Sequence, residues 1–163
     1  MSLAIAPRNL GAVHCAKLSL VLAALCWLGL PAEAASARII KVLPHFLDLE
    51  GRHTLSPSLY DRDAYQAQLR QRPQLRSGLR FDVQWKAGDK RPLQLRLELR
   101  GAQGKQPTTH VFEQTVAKRG WFSNWTALPL TGEEYKKFGE LTAWRATLWD
   151  GDQQVAEQRS FLW

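Results

Sequence analysis

Two stretches of this chain alternate apolar and polar residues without a break, and they constrain its fold more than any other feature. They are Leu79-Arg80-Phe81-Asp82-Val83-Gln84-Trp85 and Leu93-Gln94-Leu95-Arg96-Leu97-Glu98-Leu99-Arg100. Successive side chains of a strand point to opposite faces, so this period of two requires strands with one buried face. The residues between them, Lys86 to Pro92, hold Gly88-Asp89 and end in proline, a turn composition. The two stretches are expected to pair as an antiparallel hairpin with Trp85 opposite Leu93. Asp82 then faces Arg96 and Arg80 faces Glu98, each pair contributing about 0.2–1 kcal/mol. A slip of one residue would turn four leucines to solvent.

Further strands are expected at Thr108 to Ala117, Phe122 to Leu130, Leu141 to Trp149 and Gln153 to Trp163. Asp150-Gly151 between the last two is a strong hairpin signal. Near the front, Arg38 to Leu43 is rich in β-branched residues and is stopped by Pro44, which suits an edge strand. The long connection from Asp48 to Ser77 carries a turn at Ser56-Pro57-Ser58. Asp61 is expected to cap a helix from Arg62 to Gln71, with Ala64, Tyr65 and Leu69 on one stripe and Pro73 beyond its end. A second helical turn is expected after Thr131, with Glu134 completing a capping box and Gly139 ending it.

Seven strands without βαβ alternation point to an all-β fold, a seven-stranded antiparallel sandwich with one or two short helices in its connections. The architecture resembles immunoglobulin-like and fibronectin type III domains, although the Cys…Trp…Cys spacing of true immunoglobulin domains is absent. Folds of this type host many unrelated functions.

The first 37 residues read as an address rather than as part of this domain. Met1 to Lys17 carries Arg8, His14 and Lys17 and no acidic residue; Leu18 to Leu30 is uncharged. Ala32-Glu33-Ala34 and Ala35-Ser36-Ala37 both present small residues at cleavage spacing, the pattern of a secretory signal peptide. A spanning helix needs about 20 apolar residues, more than this run offers. The expected division is a signal peptide over 1–37, cleaved after Ala34 or Ala37, and one domain over 38–163. Both cysteines, Cys15 and Cys26, fall in the leader. The exported domain must therefore hold by packing alone, which a chain of this length can do. Export to a bacterial periplasm or cell surface, or secretion otherwise, is the expected localisation.

The residues that could carry function are aromatic and basic. The chain has a net charge of +7, which suits a weak anionic contact; export argues against nucleic acid. Trp85 and Trp144 fall on the inward phase of their strands, whereas Trp149 has the opposite phase and is expected to face out. Trp121 stands at a strand entrance beside Lys118-Arg119-Gly120. Exposed tryptophans stack on sugars or anchor protein interfaces. The expected partner surface is therefore Trp121, Trp149, Lys118 and Arg119, and the partner an unknown protein or an envelope glycan. Trp163, a bulky residue at the end of the last strand, is expected to be buried.

Signals for chemistry are thin. His53 has Asp48, Glu50, Asp61 and Asp63 near it in sequence, yet no His-x₃₋₅-His pair exists. Ser56 and Ser58 lie close to His53 without a nucleophile-elbow motif. Asn124-Trp125-Thr126 is a glycosylation sequon inside an expected strand. No metal, cofactor or catalytic residue is assigned. The expected function is a noncatalytic binding or structural module of the cell envelope. The alternatives are a carbohydrate-binding module using exposed tryptophan and a small hydrolase built on the 48–77 connection.

Overall fold

The computed structural model describes residues 37–120 and 122–163; residues 1–36 of the expected signal peptide, and Trp121, lie outside them. The described residues form seven strands and two short α-helices: β1 (Ala37–Asp48), α1 (Leu59–Gln71), β2 (Arg76–Ala87), β3 (Leu93–Gln103), β4 (Gln106–Val116), β5 (Asn124–Thr131), α2 (Gly132–Phe138), β6 (Glu140–Asp150) and β7 (Gln153–Arg159). The strands make two antiparallel sheets, one ordered β1-β2-β5 and the other β4-β3-β6-β7.

The two alternating stretches are strands, as their period requires, but they do not pair with each other. β2 lies between β1 and β5, and β3 lies between β4 and β6. Their inward residues instead join one apolar core from the two sheets, with Leu79, Phe81, Val83 and Trp85 from β2 and Leu93, Leu95, Leu97 and Leu99 from β3. Alternation reports which face is buried; it carries no information on which neighbour completes the ladder. The expected outward ion pairs are replaced accordingly. Arg80 Nε donates to Asp82 two residues along its own strand, at 2.9 Å, and Glu98 accepts from Arg145 of β6 at 2.8 Å.

The hairpin of β6 and β7 forms as expected, closing with Asp150 opposite Gln153 around Gly151-Asp152. β1 corrects the expected stop at Pro44, for it runs through that proline to Asp48. Phe46 shares the phase of Pro44, and its N–H and C=O turn outward to the Gln66 side chain of α1, at 2.8 and 2.9 Å. Pro44 therefore lacks its donor on the free side of an edge strand, where no ladder bond is lost. Gln66 also covers that edge, limiting unwanted pairing.

Helix α1 begins three residues earlier than expected. Ser58, not Asp61, is its N-cap and accepts from the Asp61 N–H at 3.4 Å. Leu69 and Gln66 are its buried residues, while Ala64 is exposed. α2 follows Thr131 and ends at Gly139 as expected, but the Thr131 side chain makes no capping bond. Gly139 has φ +75°, and a Cβ there would lie 2.3 Å from the Ala102 carbonyl oxygen. Phe138 just before it packs on Gly101 of β3, where a Cβ would come within 2.7 Å of its ring.

Trp163 does not enter the core. Its half-buried ring lies between the guanidinium groups of Arg100, 4.0 Å from the ring centre, and Arg145, 4.9 Å away. β7 ends at Arg159, and Phe161 beyond it is fully exposed. Among the described residues, no helix is long and apolar enough to cross a membrane.

Candidate functional site

β4 and β5 are consecutive in the chain but edge strands of different sheets, so the segment joining them crosses from one sheet to the other. Beside this crossing the gap between the sheets opens as a cleft of ≈ 540 Å³, lined on one side by the end of β4 and on the other by the start of β5. The period of two decides what faces it. Val116 is opposite the buried Leu93, and Gln114 is opposite the buried Leu95, so both take the inward phase of β4. From β5, Asn124 and Thr126 share the inward phase of Leu128 and Leu130. Trp85 forms the floor at 2% exposure, its indole N–H donating to Thr126 Oγ1 at 3.0 Å. That bond satisfies a buried donor that would otherwise oppose burial of the ring.

Three features make the cleft suited to binding. Trp125, on the outward phase of β5, lines it while remaining 53% exposed. Arg119 lines both this cleft and an adjoining hollow of ≈ 590 Å³ that also holds Lys90 and Lys118. Among the described residues, no aspartate or glutamate lines either one. The connection is held in place by its own bonds. The Arg119 N–H donates to Asn124 Oδ1 at 3.0 Å, and Lys118 Nζ donates to the Gly88 carbonyl at 3.0 Å. Two residues of the sequon thus make structural bonds, Asn124 Oδ1 to the crossing and Thr126 Oγ1 to Trp85.

The expected surface residues are only partly brought together. Lys118 and Arg119 stand at the cleft, and Trp121 lies outside the described residues. Trp149 is paired with Gln94 on the face of β6 turned away from the core, the outward phase expected of it. There it is half-buried, its indole N–H donating to Thr147 Oγ1 at 2.9 Å, and it lines a separate depression with Arg96 and Glu113. Trp125 was not singled out by sequence reasoning. Its phase, opposite to Thr126 and Leu128 within an alternating strand, was the signal available.

The residues around His53 are committed elsewhere. Its ring packs against His45 at a tilt of 38°, with centroids 5.2 Å apart. Ser58 Oγ caps α1, and Ser56 Oγ accepts from the Ser58 N–H at 3.2 Å. Burial alone would raise the Asp48 carboxyl. The Tyr65 hydroxyl at 2.7 Å, the N–H and side chain of Arg52, and the Glu50 N–H outweigh it and bring the group down to about 2. Among the described residues, no three His, Cys, Asp or Glu side chains gather as a metal site requires.

Comparison with protein-family models, curated proteins and solved structures finds no match to this chain.

Proposed function

We propose that this chain is an exported, noncatalytic binding module of the cell envelope, and that the cleft between β4 and β5 is where it meets a protein partner. We further read its two sheets as an immunoglobulin-like sandwich of the fibronectin type III kind. The division into β1-β2-β5 and β4-β3-β6-β7 supports this reading, because β2 to β3 and β4 to β5 both cross between sheets. The observation that carries the function is the exposure of Trp125 at an open cleft that Arg119 also lines, with no carboxylate among its described lining residues. Tryptophan and arginine are the residues most often found anchoring protein interfaces.

A second reading keeps the cleft and changes the ligand. An exposed indole with amide side chains beside it, Gln114 and Asn124, also suits a sugar ring. The hydrolase alternative has less support, since Ser56 and Ser58 serve the turn and the helix cap. Parallel selection from a random-peptide display library and a glycan array, with residues 38–163 as bait, tests the proposal. Enriched peptides whose binding falls at least tenfold in Trp125→Ala and Arg119→Glu support the protein reading. Glycan hits with that same sensitivity replace it, and ligands indifferent to both substitutions defeat the cleft as the site. Fusing residues 1–37 to a reporter active only outside the cytoplasm tests export.

A further inference from the structure

We propose that the free edge of β5 at Trp125 and Ala127 takes an extended acidic peptide as an added strand. This rests on the binding reading above and names the partner's chemistry.

The ladder shows where unpaired backbone lies. Phe46 turns its N–H and C=O away from β2 to Gln66. His45, one residue earlier and opposite Arg80, therefore bonds across to β2, and the backbone groups of Arg80 point to β1. On its other side Arg80 is opposite Pro129, so Pro129 turns its backbone away from β2, with no donor lost from the ladder. Trp125 and Ala127 share the phase of Pro129. Their N–H and C=O groups face the free edge at the cleft.

Natural sheets protect their edges, and this molecule protects others. Gln66 covers β1 at Phe46. On β5, Pro129 withholds a donor from the second half of the edge. On β4, Pro107 does so near the start, beside the end of α2, where Thr108 Oγ1 donates to the Phe138 carbonyl. On the stretch of β5 that lines the cleft, Asn124 to Ala127, the described residues supply neither a proline nor a side-chain bond to the outward backbone.

Charge selects the occupant. A strand added here would place alternate side chains inward, toward Gln114 and Val116, and the others outward beside Trp125. Lys90, Lys118 and Arg119 stand at the entrance with no carboxylate among the described lining residues. Main-chain bonds supply affinity in this mode, while side-chain positions supply selectivity. A segment alternating small apolar with acidic residues fits both requirements.

The probe is a blocked ten-residue peptide alternating valine and glutamate, titrated against residues 38–163 and followed by fluorescence polarisation and amide hydrogen exchange. Binding is expected with slowed exchange at Trp125 and Ala127. Affinity is expected to fall at least tenfold for the valine–lysine peptide, for Lys118→Glu with Arg119→Glu, and for a peptide N-methylated on one alternate set of residues but not the other. Ala127→Pro removes one free-edge donor and should weaken binding similarly; the N-methyl peptides make the same test on the unaltered protein. Indifference to N-methylation in both phases overturns strand addition, and so does protection on β4 or β7. Polygalacturonate protecting Trp125 where the peptide does not overturns it in favour of a glycan. Self-association without peptide binding overturns it in favour of a second copy. If the display selection yields cleft ligands that are neither extended nor acidic, this inference fails while the binding reading stands.

Discussion

Arg76 and Glu140, 64 residues apart in sequence, form an ion pair in which Arg76 Nη1 donates to both carboxylate oxygens, at 2.8 and 3.0 Å, tying the start of β2 to the start of β6. Arg76 does more than pair. Its Nε donates to the Leu69 carbonyl at the end of α1, and its guanidinium lies 4.0 Å from the centre of the Phe46 ring. The arginine side chain is 3% exposed and the glutamate side chain 63%, so the two partners are not equivalent. Arg76→Met leaves helix carbonyls unpaired in a buried position and should cost about 2–3 kcal/mol. Glu140→Gln removes a solvent-screened partner and should cost about 1 kcal/mol or less. Urea unfolding of the two variants checks this asymmetry, and equal losses would refute it.

Tyr65 and Asp48 set an acid limit to stability. The folded carboxyl sits at about 2 against an unfolded value of 3.8. A lowered carboxyl contributes stability that is complete above the unfolded value and lost as pH falls toward the folded one. Tyr65→Phe removes a hydrogen bond to the carboxylate and should cost about 1–2 kcal/mol at pH 7. The gap from the parent should narrow between pH 4 and pH 2, where Asp48 takes up a proton in both proteins. A gap that is constant with pH would show that the charged carboxylate is not the acceptor.

His45 acts at milder pH. Burial lowers its imidazole below the ordinary value of 6.5; Asp82 opposes that shift, while His53, Arg62 and Arg80 add to it. The unfolded chain therefore takes up the proton first, and stability present above pH 6.5 falls as pH drops below it. The thermal midpoint should decline from pH 7 to pH 5, and His45→Gln should flatten that decline. A profile unaltered by the substitution would assign the decline to other groups.

Thr126→Val keeps the shape of its side chain but removes the acceptor for the Trp85 indole N–H. The buried donor is then unpaired, at a cost of about 1–2 kcal/mol, measurable by denaturant unfolding. Thr126→Ser should retain most of the stability. If both variants behave alike, the methyl group rather than the hydroxyl holds the floor of the cleft.

Gly139→Ala should destabilise by about 2–4 kcal/mol, since it combines a left-handed backbone with a Cβ driven against the Ala102 carbonyl. Phe138→Ala empties a site that is 3% exposed and should cost about 3–4 kcal/mol. Gly132 also has positive φ, but a Cβ there meets nothing within 4 Å. Gly132→Ala should therefore cost less than Gly139→Ala, and the order of their unfolding midpoints decides the point.

Local pattern settled the kind and the facing of most elements. The period of two in Leu79 to Trp85 and in Leu93 to Arg100 marked both strands and their buried residues. Gly139 closed its helix and Gly151 its hairpin, because backbone conformation is a property of a few neighbouring residues. Even the outward phase of Trp149 was legible. Pairing was not. The ladder is built from backbone groups common to every residue, so nothing in Trp85 or Leu93 states that they belong to separate sheets. That separation also created the candidate site. Arg119 and Trp125 meet over a cleft only because β4 and β5 end as edges of different sheets. Asp48, Tyr65 and Arg76 likewise acquired their roles through burial beside distant partners, which depends on how the whole chain packs.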